Sequence, residues 1–431
     1  MNDTEGVPQN KPPRRLRHGI APAEPPSDGP LREEDLRGYK FFHKIRVLLE
    51  RLRPCAEHPN RLLHYDEYAT LVLFYFFNPA ITSLRGIHEV SDMATVRKRL
   101  GVRRMSLGSL SESVRLFDPE LLGEVFGELA ARAPQRLDDP KLEELREVLT
   151  VADGTILRAL PRMTWAVWLR DEHRGAKAHV QFEVLKDTAV RVEVTPGNTP
   201  ENERLRANLG PGRLYVLDRG YNDFELWQAI ADADSSFVVR LHENAVYEVI
   251  QENVLTADGR DAGVQWDGIV RLGYSEKMRE KLTVPVRLVK VHVAAQAPRG
   301  LGYRRKEVSS KKTFRQEPGV EQDILVATSR VDLPADVIAL IYWHRWKVEL
   351  FFRMLKCLMG CRHLISESLE GVTIQLYCAL IAALLLAEQT GMRPNKRALE
   401  VLTLYLQGWC DEEDAVRLLA KHAAKKEGKA G

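Results

Sequence analysis

An α/β core carrying a β-rich insertion and set between helical regions is the fold this sequence predicts, and three observations predict it. From about Leu31 to Arg146 apolar residues recur at helical spacing and strand signals are missing. After Arg146 short runs rich in β-branched residues take over, and beyond Pro334 the pattern turns helical again. At 431 residues, 44% of them apolar, the chain exceeds one ordinary core and has material for two or three domains. Its 63 basic and 60 acidic residues leave a net charge of +3, so any affinity for a polyanion has to be local.

Residues 1–30 hold seven prolines and the basic cluster Lys11, Arg14, Arg15 and Arg17, a composition that cannot build a core. They read as a disordered, solvated tail, or as an arm lying on DNA phosphates. Residues 31–146 form a helical region with Phe41, Ile45, Leu48, Leu49 and Leu52 on one face. Its cluster Arg97, Lys98, Arg99, Arg103 and Arg104 precedes Ser106, and Ser109 is placed to cap a helix containing Glu112. That region reads equally as a helix-turn-helix-like, DNA-binding domain and as a basic helical bundle.

Residues 147–241 change texture. Val148 to Ala152 is a short strand delivering Asp153, with Gly154 and Thr155 behind it; His179 to Leu185 and Thr188 to Thr195 complete an antiparallel meander. Pro200 to Leu209 is a helix, Leu214 to Leu217 a strand delivering Asp218 ahead of Arg219, Gly220 and Tyr221, Asp223 to Ala233 a helix and Ser236 to Leu241 a strand. Strands, helix, strand, helix, strand is the ribonuclease-H-like order. A further 131 positions separate Asp218 from Glu349, more than one βα unit needs, so residues 242–322 are expected to be an inserted β-rich subdomain with strands near Ala245–Ile250, Gly263–Leu272 and Val284–Val293. Within it Arg299, Arg304, Arg305, Lys306, Lys311, Lys312 and Arg315 form a mobile loop or a DNA clamp; the clamp is favoured because phosphate neutralisation dominates DNA affinity.

Residues 323–390 return to the core, with the strand Ile324–Thr328 and a helix from Pro334. The apolar run Val372 to Ala387 is short for a bilayer span and is interrupted by Gln375, so it reads as a buried helix and no membrane is expected. Residues 391–431 form a helical C-terminal region ending in a solvated Lys425, Lys426 and Lys429. Five scattered cysteines, Cys55, Cys357, Cys361, Cys378 and Cys410, read as free thiols in a reducing compartment. Cys357, Cys361 and His363 lack an obvious fourth zinc ligand, and the N-terminus lacks the apolar stretch of a signal peptide.

The chemistry concentrates in Ile341 to Lys356, IYWHRWKVELFFRMLK. On a helix turning about 100° per residue, Tyr342, Arg345, Glu349 and Lys356 project within about 60° of one another. Val348, Phe351, Phe352 and Leu355 form the apolar face opposite. A carboxylate, a guanidinium, an ammonium and a phenol on one stripe suit a polyanion and its metal ions. The spacing Tyr-x2-Arg-x3-Glu-x6-Lys resembles the signature of the DDE transposases of insertion-sequence family four, the Tn-five-like branch. That resemblance demands two earlier aspartates. Asp153 in Val-Ala-Asp-Gly-Thr and Asp218 in Val-Leu-Asp-Arg-Gly-Tyr match the family's contexts for its first and second acids.

Three such carboxylates can hold two Mg²⁺ ions, with Mn²⁺ as a substitute, because hard cations take oxygen ligands. Asp153, Asp218 and Glu349 are therefore the expected catalytic and metal-binding residues, and Tyr342, Arg345 and Lys356 the expected phosphate contacts, joined by Arg304, Arg305, Lys306, Lys311 and Lys312 of the clamp. The resemblance implies cut-and-paste transposition through a hairpin intermediate, a homodimer in the synaptic complex, and a bacterial, nucleoid-associated, cytoplasmic protein. The rivals are a two-metal endonuclease or resolvase on the same sheet and a domesticated, non-catalytic DNA-binding protein; the latter predicts a lost acid, and none is lost. Trp165, Trp168 and Trp266 are candidate base-stacking platforms that read better as core, His179 reads as packing, and Lys177 is a weaker DNA contact.

Overall fold

In the computed structural model the described residues are 46–54, 63–78, 81–136, 139–158, 163–166, 168–170, 173–293, 322–358, 364–390, 396–406 and 408–427, all within the unit Arg37–Gly431. The basic segment with Arg304, Arg305, Lys306, Lys311 and Lys312 lies outside them, as do the N-terminal tail, Cys361 and His363.

Helices fill the first part: α1 (Tyr65–Phe77), α2 (Leu84–Asp92), α3 (Ala94–Leu100), α4 (Leu107–Glu112) and α5 (Pro119–Arg132). The cap of α4 is Ser106, whose hydroxyl accepts from the Ser109 N–H at 3.0 Å; Ser109 lies one turn inside and is not the cap. Two arginines of the basic cluster are engaged within the protein. Arg103 forks onto the buried Glu67 through two 3.0 Å hydrogen bonds, and Arg104 pairs with Asp92 at 3.0 Å.

The strands are β1 (Val148–Arg158), β2 (Trp168–Arg170), β3 (His173–Glu183), β4 (Thr188–Pro196), β5 (Arg213–Leu217), β6 (Ser236–Arg240), β7 (Tyr247–Glu252), β8 (Val264–Leu272), β9 (Val286–Val293) and β10 (Gln322–Thr328). Among the described residues they join one mixed sheet in the order β2-β3-β1-β5-β6-β10-β9-β8-β7, with β4 also on β3. β1, β3 and β4 are the expected antiparallel meander, its β3–β4 turn closed by Asp187 at φ 54°. β5 runs parallel to β1, and β6 parallel to β5. The β-rich stretch makes no sheet of its own: β10 pairs antiparallel with β6, and β9, β8 and β7 continue outward from it.

Side-chain alternation divides the sheet into two faces. Leu149, Val151, Val180, Phe182, Leu214 and Val216 point into one core, shared with α5 and with the later helices α8 (Ala335–Trp343), α9 (Trp346–Leu358) and α10 (Leu369–Thr390). Ala152, Tyr215, Leu217, Phe237 and Val239 point into the other, covered by α6 (Glu201–Ala207) and α7 (Phe224–Asp232). α10 is long and apolar enough to cross a membrane, yet 78% of its apolar window is buried inside the protein, with Gln375 accepting from the Ile365 N–H at 3.0 Å. The C-terminal region folds as α11 (Lys396–Leu406) and α12 (Glu412–Glu427). Cys378 and Cys410 are buried thiols, and Cys410 Sγ donates to the Val401 carbonyl at 3.9 Å.

Candidate active site

β1 is longer than the sequence suggests, and Asp153 lies within it, opposite Val180 of β3. What ends at this point is the pairing with β5, whose last partners are Val151 and Val216. Asp153 has the parity of Val151 and Asp218 that of Val216, so both carboxylates leave the sheet on the face covered by α9. Each is held by a nearby glycine N–H: Gly154 donates to Asp153 Oδ1 at 2.8 Å, and Gly220 to Asp218 Oδ1 at 2.7 Å.

The signature stretch is not one continuous helix. α8 ends at Trp343 and α9 starts at Trp346, and through the join the N–H groups of Arg345, Lys347 and Val348 bond three residues back, to Tyr342, His344 and Arg345. Tightening to three-residue spacing interrupts the 100° rotation. Tyr342 therefore closes α8, Arg345 occupies the turn, and Glu349 and Lys356 ride on α9. The apolar face is as expected, with Val348, Phe351, Phe352 and Leu355 buried and the Phe351 ring 5.4 Å from that of Phe182 on β3.

Arg345 joins helix to sheet. Its Nη2 donates to Glu349 Oε1 at 2.8 Å, and its Nη1 lies 3.7 Å from Asp153 Oδ2. The Tyr342 hydroxyl also engages Arg345. Asp153, Glu349, Arg345 and Tyr342 are thus brought together, and Asp218 is near enough to Asp153 to repel it. Lys356 is exposed two turns beyond Glu349 on the same helix, and Trp343 and Trp346 stand exposed at the join.

Burial, and then repulsion from Asp218, push the Asp153 carboxyl up to about 7 against the pull of Arg345. Burial alone would lower Arg345, but Tyr342, Glu349 and Asp153 outweigh it and raise its pKa. Among the described residues no three His, Cys, Asp or Glu side chains stand close enough together to ligate one ion as they are; the guanidinium lies between Asp153 and Glu349. The donor chemistry nevertheless fits a hard divalent cation. Carboxylate oxygens outnumber the single positive charge beside them, and repulsion from Asp218, second to burial, helps raise Asp153.

The transposase DDE domain family model matches residues 144–385, more than half of the chain. The chain belongs to that family. It is 28% identical over 284 residues to the protein named transposase y4zB of Sinorhizobium fredii, covering 65% of this chain and 70% of that one. It is also 28% identical over 255 residues to a protein of Geobacillus stearothermophilus named as the transposase for insertion sequence element IS5377, covering 57% of this chain and 59% of the other, less than two thirds of its length. A solved piggyBac transposase synaptic complex with hairpin DNA aligns with 90% of this chain and 80% of its own at 9% identity and a TM-score of 0.39, too loose a likeness to carry an argument.

The family's match spans all three acids and ends within α10, leaving the N-terminal helices outside it. Other residues singled out in the sequence have local partners. Trp165 Nε1 donates to the Glu367 carbonyl at 2.8 Å, and Trp266 Nε1 to Glu252 Oε1 at 3.2 Å. His179 bonds Thr195 Oγ1 at 2.8 Å, and burial first, then Lys177, pushes it down to about 4. Lys177 is taken by Glu201 Oε1 and the Thr199 carbonyl, both at 3.1 Å. Glu201 escaped the sequence reading because nothing in its local spacing marks it; only the fold brings it beside Gly154.

Proposed function

We propose that this chain is a DNA transposase of the cut-and-paste kind, of insertion-sequence family four, that cleaves element ends and joins them to target DNA at Asp153, Asp218 and Glu349. The observation that supports this reading is that Arg345 reaches both Asp153 of β1 and Glu349 of α9, with Asp218 near enough to repel Asp153, in a chain of the transposase DDE domain family. The meander followed by parallel β5 and β6 supports a ribonuclease-H-like core.

The three carboxylates would hold two Mg²⁺ ions, or Mn²⁺ in their place. Bound there, such ions supply an activated water or 3′-hydroxyl and stabilise the leaving oxygen. Asp153 presents its oxygens from within β1 and Asp218 from just past the end of β5, which would fix the site as phosphoryl transfer requires. Arg345 bonds Glu349 and faces Asp153 as they stand; with cations present it would be free to turn to a phosphate of the terminal strand. Tyr342 orients that guanidinium, and Lys356 lies two turns further along α9, placed for a neighbouring phosphate. The basic segment with Arg304, Arg305, Lys306, Lys311 and Lys312 would clamp DNA. A homodimer at the synapse and work alongside DNA in the cytoplasm go with this reading.

The test is Mg²⁺-dependent cleavage of DNA carrying the element's ends. Glu349→Ala is expected to cost at least about a hundredfold in rate. Equal rates would defeat the reading, and cleavage with no joining to target would mark an endonuclease instead.

A further inference from the structure

The two aspartates sit just past the last paired residues of β1 and β5, Val151 and Val216, so no ladder hydrogen bond between these strands fixes their separation. A second connection exists on the opposite face of the sheet. Glu201, the first residue of α6, places its carboxylate directly against Gly154: a Cβ there would come within 2.7 Å of Glu201 Oε1 and 2.9 Å of its Cδ. Tyr221 lines the same small cavity as Glu201, and its phenol interacts with that carboxylate. Tyr221 is itself fixed, buried to 2% exposure, its N–H bonded to the Asp218 carbonyl at 3.2 Å and its own carbonyl accepting from Trp227 Nε1 at 2.8 Å. Lys177 on β3 holds Glu201 from the other side at 3.1 Å and is anchored to the Thr199 carbonyl.

We propose that Glu201, bridged to Tyr221 and backed by Lys177, is a positioning residue that sets the distance between Asp153 and Asp218. One end of the bridge lies against the residue after Asp153, whose N–H holds the Asp153 carboxylate; the other ends in the turn whose Gly220 N–H holds Asp218. Two carboxylates that must share cations repel each other, and a bridge outside the ligand set resists that repulsion without occupying an oxygen. Gly154 has a physical reason to be glycine here: any side chain would displace Glu201. The inference rests on the acid triad proposed above.

The experiment titrates Mn²⁺ into full-length protein, following bound ion by electron paramagnetic resonance, alongside melting curves. Glu201→Ala and Tyr221→Phe are expected to weaken Mn²⁺ binding by about tenfold to a hundredfold, the range for groups that orient ligands. Glu201→Gln, which can still accept from the Tyr221 phenol, is expected to restore most of it. Should Ala and Gln weaken binding equally, the charge of Glu201 matters and it acts as a ligand, which overturns the positioning role. Unchanged affinity in Glu201→Ala and in Tyr221→Phe, with Glu349→Ala impaired, overturns the bridge alone. Unchanged affinity in Glu349→Ala as well overturns the triad beneath it. Tyr221→Phe keeps the packed ring, so it reports even where Glu201→Ala fails to fold.

Discussion

Two of the arginines packed against carboxylates, Arg287 and Arg345, have surroundings that differ in a telling way. Arg287 on β9 forks onto Asp267 on β8 through two 2.7 Å hydrogen bonds, its remaining Nη1 accepted by the carbonyls of Val331 and Leu333. That pair is 7% and 3% exposed, its charge cancels, and Asp267 Oδ1 also accepts from Asn253 at 3.1 Å. Arg345 is less buried and faces Asp153 and Glu349, with Asp218 beyond Asp153. One is a closed pair that staples two strands and the turn after β10. The other leaves negative charge in surplus, which structure alone does not require and which a bound cation would answer.

The contrast breaks first at Asp267. Asp267→Ala leaves Arg287 buried with no counter-charge and is expected to cost about 3–5 kcal/mol in urea unfolding, with no recovery on adding Mg²⁺. Arg345→Ala is expected to cost less, about 1.5–3 kcal/mol, and to regain most of it in Mg²⁺, since the ion neutralises the same acids. Recovery in both variants, or in neither, would erase the distinction.

A pH series sharpens it further. The Asp153 carboxyl is raised from 3.8 to about 7, so its burden on the fold is absent below about pH 4 and complete above about pH 7. Asp153→Asn is expected to melt about 2–4 °C higher than wild type at pH 8 without divalent ions, as roughly 1 kcal/mol does in a mid-sized domain. The gain should disappear by pH 4. A difference that grows towards acid pH would contradict the assigned direction. The smallest effect belongs to the exposed pair of Arg104 and Asp92, 65% and 49% exposed. Arg104→Ala is expected to change stability by less than about 0.5 kcal/mol.

What the sequence made legible follows from how local each feature is. The strands ahead of Asp153 and Asp218 are short apolar runs buried on both faces, so the strand pattern and the acids behind it could be read directly. The apolar face of α9 could be read from its spacing for the same reason. The break at His344 and Arg345 could not, because a helical wheel assumes four-residue hydrogen bonding throughout and the join departs from it. Nor could the engagement of Arg103 with Glu67, 36 positions earlier, or the contact of Glu201 with Gly154, 47 positions apart, since each depends on how distant elements pack. The insertion was legible as strands. Their joining of the central sheet through β10 depends on a segment that follows them in the chain.

The most direct measurement is a crystal structure of the protein soaked in Mn²⁺, with anomalous scattering recorded at the manganese edge. The expected result is density for two ions among the carboxylates of Asp153, Asp218 and Glu349, with Arg345 turned away from Asp153. An anomalous map with no peak there at saturating Mn²⁺, and Arg345 still bridging Asp153 and Glu349, would contradict it.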